Sequence, residues 1–455
     1  MKLWEYVKKN MLKYPRQAVC ENEAEISYEN LVIWAELFAR KLRGLNCCAI
    51  LCNSEMAAAM ALLSCFAAEV TAVPLSVRYG ELHCNKILDT VSPDAVITDQ
   101  GGEINIRYIT NSGYIVPEEH PALIMCTSGT TGKPKGVMLS ESNIVANVGD
   151  IADYFNINES DTILISRPLY HCAVLTGEFL TALVKGSRIR FYSETFNPPK
   201  MLELFHEYGI TAFCGTPTLI SMTARFKRES ANDCLKHICI SGECMDSQTG
   251  YRIAKAFPKC EIYHIYGLTE ACPRISYLPP LLFYSYSDCV GIPLKSVSVR
   301  LADKNGTPSP AGKEGILWVK GDNIMLGYYN EPDKTAEVLR DGWLCTGDIA
   351  VINDVGLLKI KGRSDGLIIK SGMNIYPAEI EAALKADPRV KEVLAYGFES
   401  KHGMQIGLKI AGDFNSVLEV KKLCSECLPF FQIPNYIEIL PELTKNASGK
   451  IARRI

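Results

Sequence analysis

The strongest constraint on this chain is an alternation of short apolar runs with helical segments. "CAILCN" (48–53), "VTAVPL" (70–75) and "DAVIT" (94–98) are brief, apolar and bounded by turn residues, as strands buried on both faces are. Before them, "SYENLVIWAELFARKLRGL" (27–45) carries apolar residues at helical spacing and closes near Gly44, a helix stop. The pattern returns in "ITAFCGTP" (210–217), "KHICISGE" (236–243) and "CEIYHIYG" (260–267). Strands alternating with helices specify an α/β fold, with parallel-rich sheets covered by helices. The most apolar stretch, Met56–Leu75, is broken by Glu69 and closed by Pro74. It reads as a buried helix running into a strand, because a membrane span wants about 20 purely apolar residues.

Beyond Val290 the texture changes. "VSVRLADKNG" (297–306), "EGILWVKGD" (314–322) and "VGLLKIKGR" (355–363) alternate and carry turn signals, as antiparallel hairpin strands do. From Asp365 the order reads strand, helix (376–387), strand (390–398), strand (406–412) and helix (416–428), a small α+β unit. A chain of 455 residues exceeds one ordinary core. We therefore expect a large N-terminal domain over 1–362, a C-terminal domain over 366–455 and a hinge at 363–365.

A formal net charge of -3 gives no bulk basicity for nucleic acid or an anionic membrane. The opening "MKLWEYVKKN" has no apolar signal core, so the 18 cysteines are expected as free thiols in a reducing cytoplasm. Cys424 and Cys427 form one CxxC, but no second pair or nearby His completes a metal site.

The densest chemistry lies in "TSGTTGKPKG", Thr127–Gly136. It departs from the Walker pattern, which would require a second glycine where Pro134 stands. Gly129 and Gly132 let the backbone approach a ligand closely. The hydroxyls of Thr127, Ser128, Thr130 and Thr131, with the charges of Lys133 and Lys135, suit phosphate oxygens. The loop follows the apolar "ALIMC" and precedes the helix-like "ESNIVANV".

Four further segments follow in order: "YGLTE" (266–270), "TGD" (346–348), "GRSD" (362–365) and "SGK" (448–450). Together the set resembles the signature of the acyl-adenylate-forming (AMP-binding) superfamily. Its members include acyl-CoA synthetases, adenylation domains of nonribosomal synthetases and luciferases. The similarity runs from "ISYENL" to "SGKIARR", nearly the whole chain. It implies an AMP-binding N-terminal domain with a small distorted barrel, and a mobile C-terminal domain. It also implies an ATP-dependent acid–thiol ligase that adenylates a carboxylate, releases pyrophosphate and passes the acyl group to a thiol.

By the same resemblance, the loop from Thr127 through Ser128, Gly129, Thr130, Thr131 and Gly132 to Lys133 holds the β- and γ-phosphates of ATP. Thr269 contacts the α-phosphate, and Glu270 binds Mg²⁺, a hard ion suited to carboxylate and phosphate oxygens. Tyr266 stacks on adenine beside Gly267, and Ser241, Gly242 and Glu243 form the segment on the other side of the purine. Asp348 accepts the ribose hydroxyls, as an acceptor-only group can, and Arg363 adds a planar donor fork. Lys450 reaches the α-phosphate and the carboxylate from the C-terminal domain. Asp365 is the hinge about which that domain turns between the half-reactions. Gly372 leaves room for the pantetheine arm, and His171 lines or gates the acyl pocket. The family more often has Thr where Asn446 stands.

The substrate region "LYHCAVLTGEFL" (169–180) lacks the Asp that pairs with an α-ammonium in amino-acid adenylation domains. A non-amino acid is therefore expected, aryl or short-to-medium acyl. With no carrier domain after Lys450, coenzyme A is the expected acceptor, and the phosphopantetheine of a separate carrier protein is the alternative. A non-catalytic acyl or nucleotide sensor is the reading from another class. The expected partners are small molecules, with no nucleic acid and no membrane span, in a monomer or homodimer.

Overall fold

The computed structural model describes residues 1–77, 80–110, 112–127, 134–227, 234–370, 373–400, 403–429, 432–445 and 451. The helix expected over 27–45 spans Tyr28–Leu42, and the Ser27 side chain caps it by accepting from the Asn30 N–H. Such a cap contributes about 1 kcal/mol. Leu31, Val32, Ala35, Phe38 and Leu42 form its buried stripe, at the spacing that puts them on one face. The apolar stretch resolves into helix Glu55–Ala68 and strand Thr71–Pro74. Glu69 between them takes the left-handed conformation that ends the helix.

Two large sheets carry the N-terminal region. The first has nine strands. At its centre Ala18–Glu21, Arg188–Phe191, Thr162–Ile165, Ala212–Gly215, His237–Ser241 and Glu261–Gly267 run parallel. Its edges turn antiparallel, at Ala24–Ser27 on one side and Arg274–Leu278 on the other. The second has seven strands, with Ala95–Gln100, Cys47–Leu51, Thr71–Pro74 and Leu123–Thr127 parallel at its centre. One continuous core runs between them and includes Ile50, Leu62, Ile144, Phe179 and Tyr263. Each fully buried Leu or Ile there contributes about 1.5–3 kcal/mol of transfer free energy.

The Glu21 carboxylate ties the two sheets. Glu21 ends its strand in the first sheet with 6% exposure. It accepts from Ser54 Oγ, from the Glu55 and Met56 N–H groups at 3.1 Å each, and from Ser193 Oγ. Ser54–Met56 is the start of helix Glu55–Ala68, which links two strands of the second sheet. Negative charge at a helix N-terminus is favourable. Glu55 returns the tie by accepting from the Leu169 N–H at 2.9 Å.

The stretch beyond Val290 is antiparallel as expected. Val297–Ala302, Gly315–Gly321, Trp343–Ile352 and Leu358–Arg363, with the short Leu339–Arg340, make an open five-stranded sheet, a half-barrel.

The helix expected at "ESNIVANV" is present, with an unforeseen strand before it, and one expectation in the C-terminal unit is corrected. Lys135–Leu139 is a strand antiparallel to Leu123–Thr127, with Thr127 opposite Lys135. Helix Glu141–Tyr154 begins only after it, capped by Ser140. Pairing prevails because Val137 and Leu139 bury with Leu123 and Met125 in one core. The C-terminal unit opens on a hairpin, Ile368–Lys370 with Met373–Ile375, where one strand was expected. It also gains Tyr436–Ile439, parallel to Gly403–Gly412.

The C-terminal unit has its own core, which includes Ile375, Ile380, Leu384, Ile406, Leu408 and Val420. Polar contacts join it to the half-barrel region. Lys361 Nζ lies 2.9 Å from Glu379 Oε1, and the Tyr376 hydroxyl donates to Glu314 Oε2.

Candidate active site

Strand Glu261–Gly267 delivers Tyr266 and Gly267 to the C-terminal end of the first sheet, where ligands of open α/β sheets bind. Gly267 pairs with Arg274 across a tight return. A Cβ added to Gly267 would stand 1.9 Å from the Pro273 carbonyl oxygen, so no larger residue fits. The return holds a 3₁₀ turn, Thr269–Ala271. Thr269 and Glu270 are therefore presented at the strand end by a fixed backbone.

Tyr266 donates its hydroxyl to Asp348 Oδ2. Burial, then the Asp348 charge, pushes the Tyr266 phenol well up. It stays protonated and acts as the donor. Asp348 lies on Trp343–Ile352, directly opposite Arg363 on Leu358–Arg363. Arg363 Nη1 stands 3.3 Å from Asp348 Oδ1 and donates to the Thr346 carbonyl at 2.8 Å. The Asp348 N–H donates to Thr346 Oγ1 at 3.0 Å. The Asp348 side chain is 12% exposed and the Arg363 side chain 51%. The carboxylate is thus a recessed acceptor with a half-exposed cation at its mouth. Tyr266, Asp348 and Arg363, far apart in sequence, form one hydrogen-bonded unit.

Glu270 belongs to a second unit. Its Oε1 accepts from the Tyr328 hydroxyl at 2.9 Å. Burial, then the Glu270 charge, raises the Tyr328 phenol far above its usual range, so this hydroxyl too is a donor. Tyr328 sits on Gly327–Tyr328, which pairs with Lys135–Leu139 of the second sheet. Lys135 Nζ lies 4.7 Å from the Tyr328 ring centroid, within cation–π range. Glu270 of the first sheet is thereby linked to the strand that leaves the hydroxyl-rich loop. Tyr328 was not foreseen, because only the pairing of distant strands places "GYY" beside "YGLTE".

His171 caps the short helix Cys172–Val174 and stacks obliquely on Tyr170, with ring centroids 4.1 Å apart. Tyr170 and Leu169, with Ile50, Cys52, Glu55 and Leu75, line a crevice between the two sheets. Ser241 ends strand His237–Ser241 opposite Ile265, one residue short of Tyr266, and Gly242 follows. Glu243 comes next and is held by its side chain. Its Oε2 accepts from Thr218 Oγ1 at 2.7 Å and from the Thr218 N–H at 3.3 Å. Thr218 belongs to the first turn of helix Pro217–Phe226, so the carboxylate serves a helix end.

Thr127 closes its strand, while Ser128, Gly129, Thr130, Thr131, Gly132 and Lys133 lie outside the described residues, as do Gly372 and Lys450. Asp365 occupies the 3₁₀ turn Ser364–Gly366.

No group of three or more His, Cys, Asp or Glu suited to a metal occurs among the described residues. Glu270 offers one carboxylate with a neutral phenol at one oxygen. That donor set fits a magnesium ion that keeps most of its shell from water and substrate phosphates, not a resident metal held by protein alone.

The pattern of the AMP-binding enzyme family matches residues 7–329. The chain belongs to the AMP-binding enzyme family. This AMP-binding chain is 32% identical over 369 residues to a long-chain-fatty-acid–CoA ligase of Escherichia coli O6:H1, a match covering 77% of the chain and 65% of that ligase. It is 30% identical over 342 residues to a feruloyl-CoA synthase of Amycolatopsis sp., covering 73% of the chain and 68% of the synthase. Among solved structures, O-succinylbenzoate coenzyme A synthetase from Bacillus subtilis in complex with AMP overlays with a TM-score of 0.85 at 25% identity, covering 99% of this chain and 97% of that one. A double mutant of that synthetase, bound with its product analogue OSB-NCoA, overlays at 0.70 with the same coverage. No helix of the described residues is long and apolar enough to cross a membrane.

Proposed function

We propose that this chain activates a carboxylic acid with ATP and transfers the acyl group to coenzyme A. In the first half-reaction a carboxylate oxygen attacks the α-phosphorus and pyrophosphate leaves. In the second the thiolate of coenzyme A attacks the acyl carbon and AMP leaves. The observation that carries this reading is the Tyr266–Asp348–Arg363 unit standing at the strand end beside Thr269 and Glu270. A ribose needs a recessed acceptor, an adenine needs an aromatic face, and a transferring α-phosphate needs donors and cations that are already in place. The names of the curated relatives support coenzyme A as the thiol, and a feruloyl-CoA synthase among them supports an aryl acid.

In this reading Asp348 accepts the ribose hydroxyls and Tyr266 orients that carboxylate while offering its ring to the base. Thr269 donates to the α-phosphate. Glu270, steadied by Tyr328, takes one site on a magnesium ion whose role is to neutralise phosphate charge. Lys450 adds positive charge at the reacting centre, and Asp365 is the pivot that brings it there. The unit boundaries at 362 and 366 follow from that pivot. All 18 cysteines are free thiols, which supports a reducing, cytoplasmic setting. We assign a monomer or homodimer.

The test is purified protein with ATP, Mg²⁺ and a panel of carboxylic acids. Acid-dependent exchange of labelled pyrophosphate into ATP, and acyl-CoA by mass spectrometry, are the expected results. Exchange with no acyl-CoA unless a carrier protein is added would move the acceptor to the carrier. ATP binding with no exchange for any acid would leave a sensor.

A further inference from the structure

Each of the two large sheets ends in one strand at either edge. Three of these end strands are short: Ala24–Ser27 has four residues, and Ile292–Pro293 and Gly327–Tyr328 have two each. Brevity is one way a chain protects an open edge. The fourth, Glu103–Tyr108, has six residues and pairs with Ala95–Gln100 in unbroken register. It holds no proline and no bulge, and among the described residues no strand pairs with its outer side. Such an edge is a template for another strand.

One bond settles which groups face outward. The Ile109 N–H donates to the Asp94 carbonyl at 2.8 Å, just past the end of this strand pair. In an antiparallel ladder, residues bonded to the neighbour alternate with residues turned away from it. Glu103, Asn105 and Arg107 therefore bond to Ala95–Gln100, while Ile104, Ile106 and Tyr108 turn their N–H and C=O groups to the open side. A second copy of the same strand, running antiparallel, can set its Ile106 opposite Ile104. A two-fold axis then passes beside Asn105. Glu103 stands opposite Arg107 of the second copy, and Arg107 opposite its Glu103. These positions lie between the hydrogen-bonded pairs, where side chains come closest, about 4.5 Å between Cα atoms. Sliding the copy by one pleat in either direction loses both ion pairs.

The flank of this strand adds apolar surface. Tyr108 is 59% exposed, and its hydroxyl donates to the Lys41 carbonyl at 3.1 Å, in the last turn of helix Tyr28–Leu42. Ile33 and Leu37 precede Lys41 at four-residue spacing, which puts them on one helix face. They are 50% and 51% exposed. An apolar stripe beside an open strand marks a surface that a partner covers. It also enlarges the contact, because one strand pair alone falls short of the roughly 1,200 Å² that a stable interface buries.

We propose that Glu103–Tyr108 pairs antiparallel with the same strand of a second copy of this chain, about a two-fold axis at Asn105. Glu103 meets Arg107 across that axis, and the two seven-stranded sheets join into one. The contact is isologous, so it closes at two copies and leaves this edge covered in both. It uses none of the residues assigned to the site, so its failure would leave the proposed chemistry standing.

The test is sedimentation of the purified chain across the micromolar range. The unaltered chain should sediment as a dimer. Asn105→Asp sets two carboxylates face to face on the axis and should raise the dimer dissociation constant at least tenfold. Glu103→Arg and Arg107→Glu should each do the same, by placing like charges opposite one another. Mixed together, these two single variants should form a heterodimer, because every opposed pair is again of opposite sign. All three positions are exposed, and an unchanged thermal transition separates dissociation from unfolding. If a charge-reversed variant unfolds, Asn105→Asp decides. A parent that stays monomeric, a dimer indifferent to these substitutions, or folded single variants that fail to recombine would overturn the proposal.

Discussion

The two parts of this molecule are held together internally in the same way but meet each other differently. The N-terminal region packs its large sheets around a continuous apolar core, and the C-terminal unit packs a three-stranded sheet and two helices around another. Between them the contacts are polar, Lys361 with Glu379 and Tyr376 with Glu314. Apolar burial is lost only by unfolding, whereas a few polar contacts of this kind can be given up to water at a cost of about 1 kcal/mol each. The contrast points to a site with a rigid half, in which Tyr266, Asp348 and Glu270 are set by strand register, and, in the function proposed above, an exchangeable half that would carry Lys450.

The comparison can be broken at its strongest point first. Lys450→Ala should lower acid-dependent pyrophosphate exchange about 100-fold or more, the scale for losing a preorganised charge. Equilibrium binding of ATP should persist, because the rigid half is intact. An unchanged exchange rate would show that the C-terminal unit brings nothing to the first half-reaction.

Next in size is Asp348→Ala, which removes the acceptor and leaves the buried Tyr266 hydroxyl without its partner. A loss of about 1–3 kcal/mol is expected, read as a rise in the ATP dissociation constant of roughly 5–150-fold. Tyr266→Phe keeps the ring and should cost less. If the two variants were equally damaged, the hydroxyl rather than the carboxylate would be the main determinant.

Asp365→Pro fixes φ at the turn Ser364–Gly366. Exchange should hold within about threefold while thioester formation falls by about tenfold, an asymmetry that sets the pivot apart from general damage. Equal loss in both assays would reject the pivot. Smallest is Glu314→Gln with Lys361→Ala, which loosens the docked arrangement. Each half-reaction should change by no more than about fivefold, with thioester formation favoured. A collapse of exchange in this double variant would mean that the polar contacts are a structural clamp.

Much of this was legible in the sequence. The strands through "CAILCN", "ICIS" and "EIYHIYG" announce themselves by composition, because burial on both faces demands unbroken apolar runs. Tyr266, Asp348 and Arg363 were legible as motif residues, but their union in one hydrogen-bonded unit was not. It depends on the register of Asp348 against Arg363 and on the approach of a different sheet. Tyr328 carried no local signal, since it matters through a partner more than 50 residues distant. Glu243 shows the opposite case: a motif residue whose visible partner is the start of a neighbouring helix. The strand Lys135–Leu139 was hidden by its brevity and by Gly136, and pairing with Leu123–Thr127 fixed it.

Glu21 lies outside every signature segment, yet its four donors come from both sheets. It behaves like the rivet of a pair of tongs. The jaws are the strand ends around Tyr266 and the crevice beside Tyr170, and the joint sits at the same edge of the sheet, against Glu55 of that crevice. A change at that joint would alter the calibre of the opening without touching any residue that meets the nucleotide.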